Sequence, residues 1–383
     1  MSALAFFPWL EVRDAVDVGP IHLLNYRRGA SPGGEAQRIL DIVTEPYVAT
    51  KGHPIERATL FRYDGKDLLA SLEDPEIQDA FELAGLVTTA GLGARSFFRT
   101  EYWSRDHFQF TIQAFGQPGH GAFIQIRRLD GHTGVRVVQD ALVVARPVHA
   151  IGTSPVRIDT TVLAALIAAR EDDEWPRFRE ASQTFNLAST DSSDVPIELA
   201  LTLVNGALEQ VLGADAGKEN ELADRFDALF RPAERIGLTD CARLSSPTLG
   251  KFARTRSVAE AWLRDLFRLR GDLAHGRLSV RYPSVWDVRE HLLLAGFIFP
   301  LLLKLALAER GHYEMTEKDA GLVDAFEELC CADHFTDLTE SDDDGRPGDA
   351  WHSAIMSARL RRIIERHIPP EDWFDPGSGT NGG

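Results

Sequence analysis

Through much of the first 150 residues, apolar and polar positions alternate with a period of two. His107 to Phe115 (HFQFTIQAF) sets an aromatic or aliphatic residue at every second position, the mark of a half-buried strand. Gly116-Gln117-Pro118-Gly119 follows, and then Ala122 to Arg128 (AFIQIRR), so the pair reads as a hairpin closed by a glycine-rich turn. Glu56 to Tyr63 and Val135 to Ala145 are read as further strands, with turns at Asp64-Gly65 and Asp130-Gly131. One helix is expected between Pro75 and Leu86.

From about Asp159 the period lengthens to that of a helix. The segments 159–171, 196–213, 217–230, 257–275, 285–310, 316–331 and 350–367 are candidate helices. The pattern predicts an α+β protein with a β-rich N-terminal domain over residues 1–152. An all-helical domain over 153–375 follows, the boundary lying near Gly152 to Pro155. Residues 340–349 (ESDDDGRPGD) read as an acidic loop, and 376–383 (PGSGTNGG) have the composition of a disordered tail. The longest uncharged apolar run, Leu292 to Leu303, is followed at once by Lys304. It is shorter than the ~18 residues a bilayer span needs, so it is expected to be a core helix, kinked at Pro300.

Charge narrows the function classes. The formal net charge is −17, from 41 Lys+Arg against 58 Asp+Glu. That balance disfavours a general nucleic-acid coat protein, because phosphate binding is largely electrostatic, but leaves room for one local basic site. Residues 250–310 hold eleven Lys/Arg against six Asp/Glu, and residues 312–349 hold two against thirteen. The acidity is thus concentrated just after the most basic stretch, where it is placed either to pair with it or to screen it. Cys241, Cys330 and Cys331 include no CxxC pair, which offers neither a disulfide framework nor a zinc site and suits a reducing cytoplasm. The N-terminus lacks the basic n-region of a secretory signal.

The chemistry is concentrated in Ser257 to Gly276 (SVAEAWLRDLFRLRGDLAHG). Val258, Trp262, Leu266, Leu269 and Leu273 form one helical stripe, which must face a core. Arg270 lies at its flank. In a continuous helix His275 would lie about 140° further round, so the last turn is expected to end or distort near Gly271 or Gly276. Otherwise a second subunit completes the site.

Arg270-Gly271-Asp272-Leu273-Ala274-His275-Gly276 resembles the R-x4-H signature of HEPN domains. Leu269 before the Arg and Gly276 after the His resemble the Apea-like HEPN group in particular. The order of helices across roughly 180–310, including helix 196–213 with Glu209 and the long apolar helix, is also similar to that family. Many members carry a polar residue directly after the Arg, where this chain has Gly271 and places Asp272 one position later.

The resemblance implies metal-independent RNA cleavage by Arg270 and His275, with Asp272 and Gly276 supporting them, and no cofactor. It also implies a homodimer in which two motifs face each other. An imidazole moves protons near neutral pH, and a guanidinium grips phosphate oxygens as charge builds on them. Arg268, Arg277 and Arg281 are the neighbouring candidate contacts to RNA backbone. Such proteins resemble defence or toxin effectors, which assigns the N-terminal domain, by elimination, to sensing an unidentified trigger ligand. The alternative is a non-catalytic HEPN module for dimerisation or RNA binding.

Other signals lead nowhere comparable. Gly91-Leu92-Gly93 lacks the rest of a phosphate loop, no GxSxG or HExxH occurs, and the histidines of the first half are not at metal-ligand spacing. Arg359, Arg361, Arg362 and Arg366 in the last helix read as a solvated face, with Ile355, Leu360, Ile363 and Ile364 packing beneath.

Overall fold

The computed structural model describes residues 3–49, 52–63, 65–69, 74–114, 121–127, 130, 133–138, 143–150, 155–215, 217–244, 249–274, 284–332 and 349–367. The fold is α+β and divides into two compact units, Met1–Leu203 and Val204–Gly383.

The N-terminal unit is organised around strands β1 (Ala3–Phe7), β2 (Val16–Val18), β3 (Ile21–Arg27), β5 (Arg57–Tyr63), β6 (Thr111–Ala114), β7 (Gly121–Arg127) and β8 (Thr133–Val138). They form one sheet in the order β2-β3-β5-β1-β6-β7-β8, antiparallel at every pairing. A separate parallel pair joins β4 (Tyr47–Val48) to β9 (Val144–Ala145). Every residue of β1 is buried. Its alternation sends Leu4 and Phe6 into a cluster with Tyr26, Leu60 and two residues of helix α1 (Gly34–Val43), Leu40 and Val43. Phe7 lies among Phe61, Phe110 and Phe81 of helix α2 (Asp74–Gly93), with ring centroids 5.0–5.3 Å from that of Phe110. A strand covered on both faces is apolar throughout, so it lacks the polar alternation by which half-buried strands are recognised.

Helices α3 (Thr160–Ala168) and α4 (Trp175–Ala188) pack on α2. The shift to helical composition near residue 152 therefore does not end the first unit. The division falls inside α5 (Ile197–Leu212), well past Gly152 to Pro155. Two further expectations change. Arg105–Phe108 is a short 3-10 helix, so the strand expected over 107–115 begins only at Thr111. Helix α2 extends past Leu86 to Gly93. The hairpin pairing of β6 with β7 stands, Gln113 opposite Ala122, while its turn at 116–119 lies outside the described residues.

The C-terminal unit contains α6 (Glu219–Leu229), α7 (Val258–Ala274), α8 (Val288–Glu309), α9 (Glu317–Cys331) and α10 (Asp349–His367). Among the described residues α8 alone is long and apolar enough to cross a bilayer. It is a core helix here: Leu294, Ala295, Ile298, Phe299, Leu302 and Leu307 are fully buried, and the helix continues through Pro300. Asp287 and Glu290 start it with a reciprocal capping box. Trp262 of α7 and Phe326 of α9 meet edge to face at 5.1 Å.

Among the described residues of the acidic stretch, one pair reaches the basic stretch 250–310 and others reach the last helix. Asp319 bonds Lys304 of α8 at 2.8 Å, Asp324 bonds Arg362 of α10 at 2.5 Å, and Glu328 bonds Arg361 at 2.6 Å. On α10 the buried residues are Trp351, Ala354 and Ala358, whereas Leu360 and Ile363, expected to pack, are exposed. The acidic loop is described only at Asp349, and the tail lies outside the described residues.

Candidate active site

Helix α7 begins at an N-cap: the Ser257 hydroxyl accepts the Glu260 N–H at 3.3 Å. Its stripe of Val258, Trp262, Leu266 and Leu269 is buried, with Leu273 half-buried. Glu327 of α9 accepts the Ala259 N–H at 3.3 Å. Burial pushes the Glu327 carboxyl up to about 7, against the pull of Ser257 and the nearby N–H groups. The helix runs through Gly271 to Ala274 without a break, and a Cβ at Gly271 would meet no atom. His275, Gly276, Arg277 and Arg281 lie outside the described residues.

Three arginines project from α7 and differ in how their donors are used. Arg264 bonds Glu260 through Nε at 3.0 Å, and Glu219 and Asn220 through Nη1 at 3.1 and 3.0 Å. Its Nη2 also lies 3.0 Å from Glu260. Arg268, expected to touch RNA backbone, bonds Glu219 through Nε at 3.2 Å and Nη2 at 2.7 Å. Its Nη1 donates to the Lys251 carbonyl at 3.2 Å, and the guanidinium lies over the Phe252 ring. Every guanidinium nitrogen of these two arginines is therefore engaged inside the protein.

Arg270 is different. Its Nη2 donates to Glu209 of α5 at 3.1 Å and the guanidinium carbon lies 5.6 Å from the Phe267 ring centroid. Among the described residues neither Nη1 nor Nε meets an acceptor, and Nε is buried. Glu209 is itself fixed: it is buried, and its other oxygen accepts the Gly217 N–H at 3.3 Å. One guanidinium edge is held, and among the described residues Nη1 retains donor capacity for an oxyanion. Asp272 is half-buried on the next part of the same turn.

On the core side, Asp265 accepts the Val285 and Trp286 N–H groups at 2.7 and 3.3 Å and lies 3.4 Å from Nε2 of His291. His291 is fully buried near the rings of Trp262 and Trp286. This pair ties the start of α8 to α7 and is enclosed, so it serves packing. Among the described residues no group of three or more His, Cys, Asp or Glu is arranged to hold a metal.

The structure thus places Arg270 at the end of α7 on an acidic partner that the motif itself does not contain. The signal for Glu209 was the one charged residue within a largely apolar stretch of α5 (GALEQVL), although nothing in the sequence links it to Arg270. Compared with protein-family models, with curated proteins and with solved structures, the chain matches none.

Proposed function

We propose that the C-terminal unit is a metal-independent endoribonuclease of the HEPN type, acting as a homodimer with Arg270 and His275 as the catalytic pair. The observation that carries the reading is the contrast among the α7 arginines. Arg264 and Arg268 spend all their guanidinium nitrogens on protein, whereas Arg270 is anchored through Nη2 and, among the described residues, its Nη1 meets no acceptor.

RNA carries its own nucleophile. The 2′-OH attacks the adjacent phosphorus as one His275 imidazole takes its proton. The 5′ oxygen leaves with a proton from the His275 of the second subunit. The P–O bond to the leaving ribose breaks, giving a 2′,3′-cyclic phosphate and a 5′-hydroxyl. Arg270 meets the charge that gathers on the non-bridging oxygens. The N-terminal unit has the role of sensor in a defence or toxin effector.

A second reading has its own observation. The bond from Arg270 to buried Glu209 ties α7 to α5, which is what a non-catalytic dimerisation or RNA-binding module would also need. Incubating RNA with the full chain in excess EDTA and analysing the new ends separates the two readings. Cyclic-phosphate ends that depend on Arg270 and His275 support the nuclease, and intact RNA at every protein concentration supports the module.

A further inference from the structure

The N-terminal unit contains a cavity of about 510 Å³ between α2, α4 and the segment Arg105–Thr111, within the range of roughly 300–1,000 Å³ of small-ligand sites. Two half-buried rings, Phe81 and Phe110, line it and stand edge to face at 5.3 Å. Arg105 and Arg179 also line it, and among the described residues neither guanidinium has an ion pair or a hydrogen-bond acceptor. The two carboxylates of the wall are already engaged. Glu82 pairs with Arg170 at 3.2 Å, and Asp106 accepts from the Ser104 hydroxyl and the Asp191 N–H.

Two observations indicate that the space is meant to be filled. Ser182 is only 2% exposed, lines the cavity and, among the described residues, has no hydrogen-bond partner for its hydroxyl. A buried hydroxyl without a partner is costly unless something bound completes it. Gly85 stands in the interior of α2, where glycine weakens a helix. It too lines the cavity, and a Cβ there would meet no atom within 4 Å. Among the described residues no atom excludes a Cβ at Gly85, so the space beside the helix is open to a ligand.

We infer that this cavity binds a small ligand that joins a planar heteroaromatic ring to a phosphate, of the size of a nucleoside monophosphate. The aromatic side chains would receive the ring, the Ser182 hydroxyl a polar atom on it, and Arg105 and Arg179 the phosphate. The proposal deepens the sensor role given to this unit. Binding is read without RNA, so its failure and the failure of the ribonuclease reading are separate results.

The test is calorimetric titration of the full chain with AMP, UMP, inorganic phosphate and benzoate. Three proteins are compared: wild type, Arg105→Gln/Arg179→Gln and Gly85→Leu. A nucleoside monophosphate is expected to bind the wild type more tightly than inorganic phosphate does. The double variant should weaken that binding by about tenfold or more, the scale of a lost charge-assisted hydrogen bond. Gly85→Leu should abolish it in a protein that still unfolds cooperatively, since its Cβ meets no atom and its side chain takes up ligand space. Absence of nucleotide binding, binding unchanged in both variants, or binding of benzoate in preference to the nucleotides would each overturn the assignment.

Discussion

Glu209 and Arg270, 61 positions apart in the chain, meet at 3.1 Å, and that contact fixes the catalytic candidate to a neighbouring helix. Removing the carboxylate leaves a half-buried guanidinium without its partner and frees the Gly217 N–H. Glu209→Ala should therefore lower stability by about 1–3 kcal/mol. Glu209→Gln keeps an acceptor and should lower it by less. Urea denaturation of the two variants measures the difference. Equal stability of Glu209→Ala and wild type would show that the contact is idle.

Gly271 lies inside α7, and its missing side chain leaves open space. Gly271→Ala should raise stability by about 0.5–1 kcal/mol, because alanine loses less backbone entropy in a helix. A fall in Tm on this substitution would show that the helix does not continue through this position.

Glu327 gives the protein a pH dependence of defined sign. Burial raises its carboxyl from 4.5 to about 7, so between these values the folded chain holds a proton that the unfolded chain has released. Its contribution is fully present below the unfolded value and is lost as pH rises through about 7. The loss amounts to roughly 3 kcal/mol. Glu327→Gln should flatten the stability curve from about pH 5 to 8 and be the more stable protein at about pH 8. Chemical denaturation across this range measures it, and parallel curves for the two proteins would exclude a titrating Glu327.

Asp319 works in the opposite sense. Burial raises its carboxyl, but Lys304, Thr316 and Tyr313 outweigh that and hold it below the ordinary value. Its contribution is present above the unfolded value and is lost as pH falls through the folded one. Asp319→Asn should cost about 1–3 kcal/mol at neutral pH, with the gap to wild type closing in acid. A gap that stays constant in acid would contradict the ionised pairing.

The helices of the C-terminal unit were legible because their apolar residues repeat at helical spacing and several begin at caps, as at Asp287 and Thr316. Helix α4 follows the same spacing with Trp175, Phe178, Ala181 and Phe185 buried, but its polar composition hid it. Strand β1 was invisible for the reason that makes it central: buried on both faces, it has no alternation to read. Pairings between distant segments were equally hidden. Cys331 holds the Cys241 thiol below its ordinary value against the effect of burial, and no spacing announced that the two meet. Within the candidate site, the motif singles out Arg270, but its bond to Glu209 joins positions 61 apart and follows only from the packing of α5 against α7.

Arg270 and His275 are proposed to cleave RNA without a metal. The most direct test is cleavage of a mixed tRNA and mRNA pool in excess EDTA by wild type, Arg270→Ala and His275→Ala, each checked for native folding. Wild type is expected to give 2′,3′-cyclic phosphate and 5′-hydroxyl ends, and both folded variants are expected to lose cleavage. Cleavage by His275→Ala at the wild-type rate would contradict the proposal.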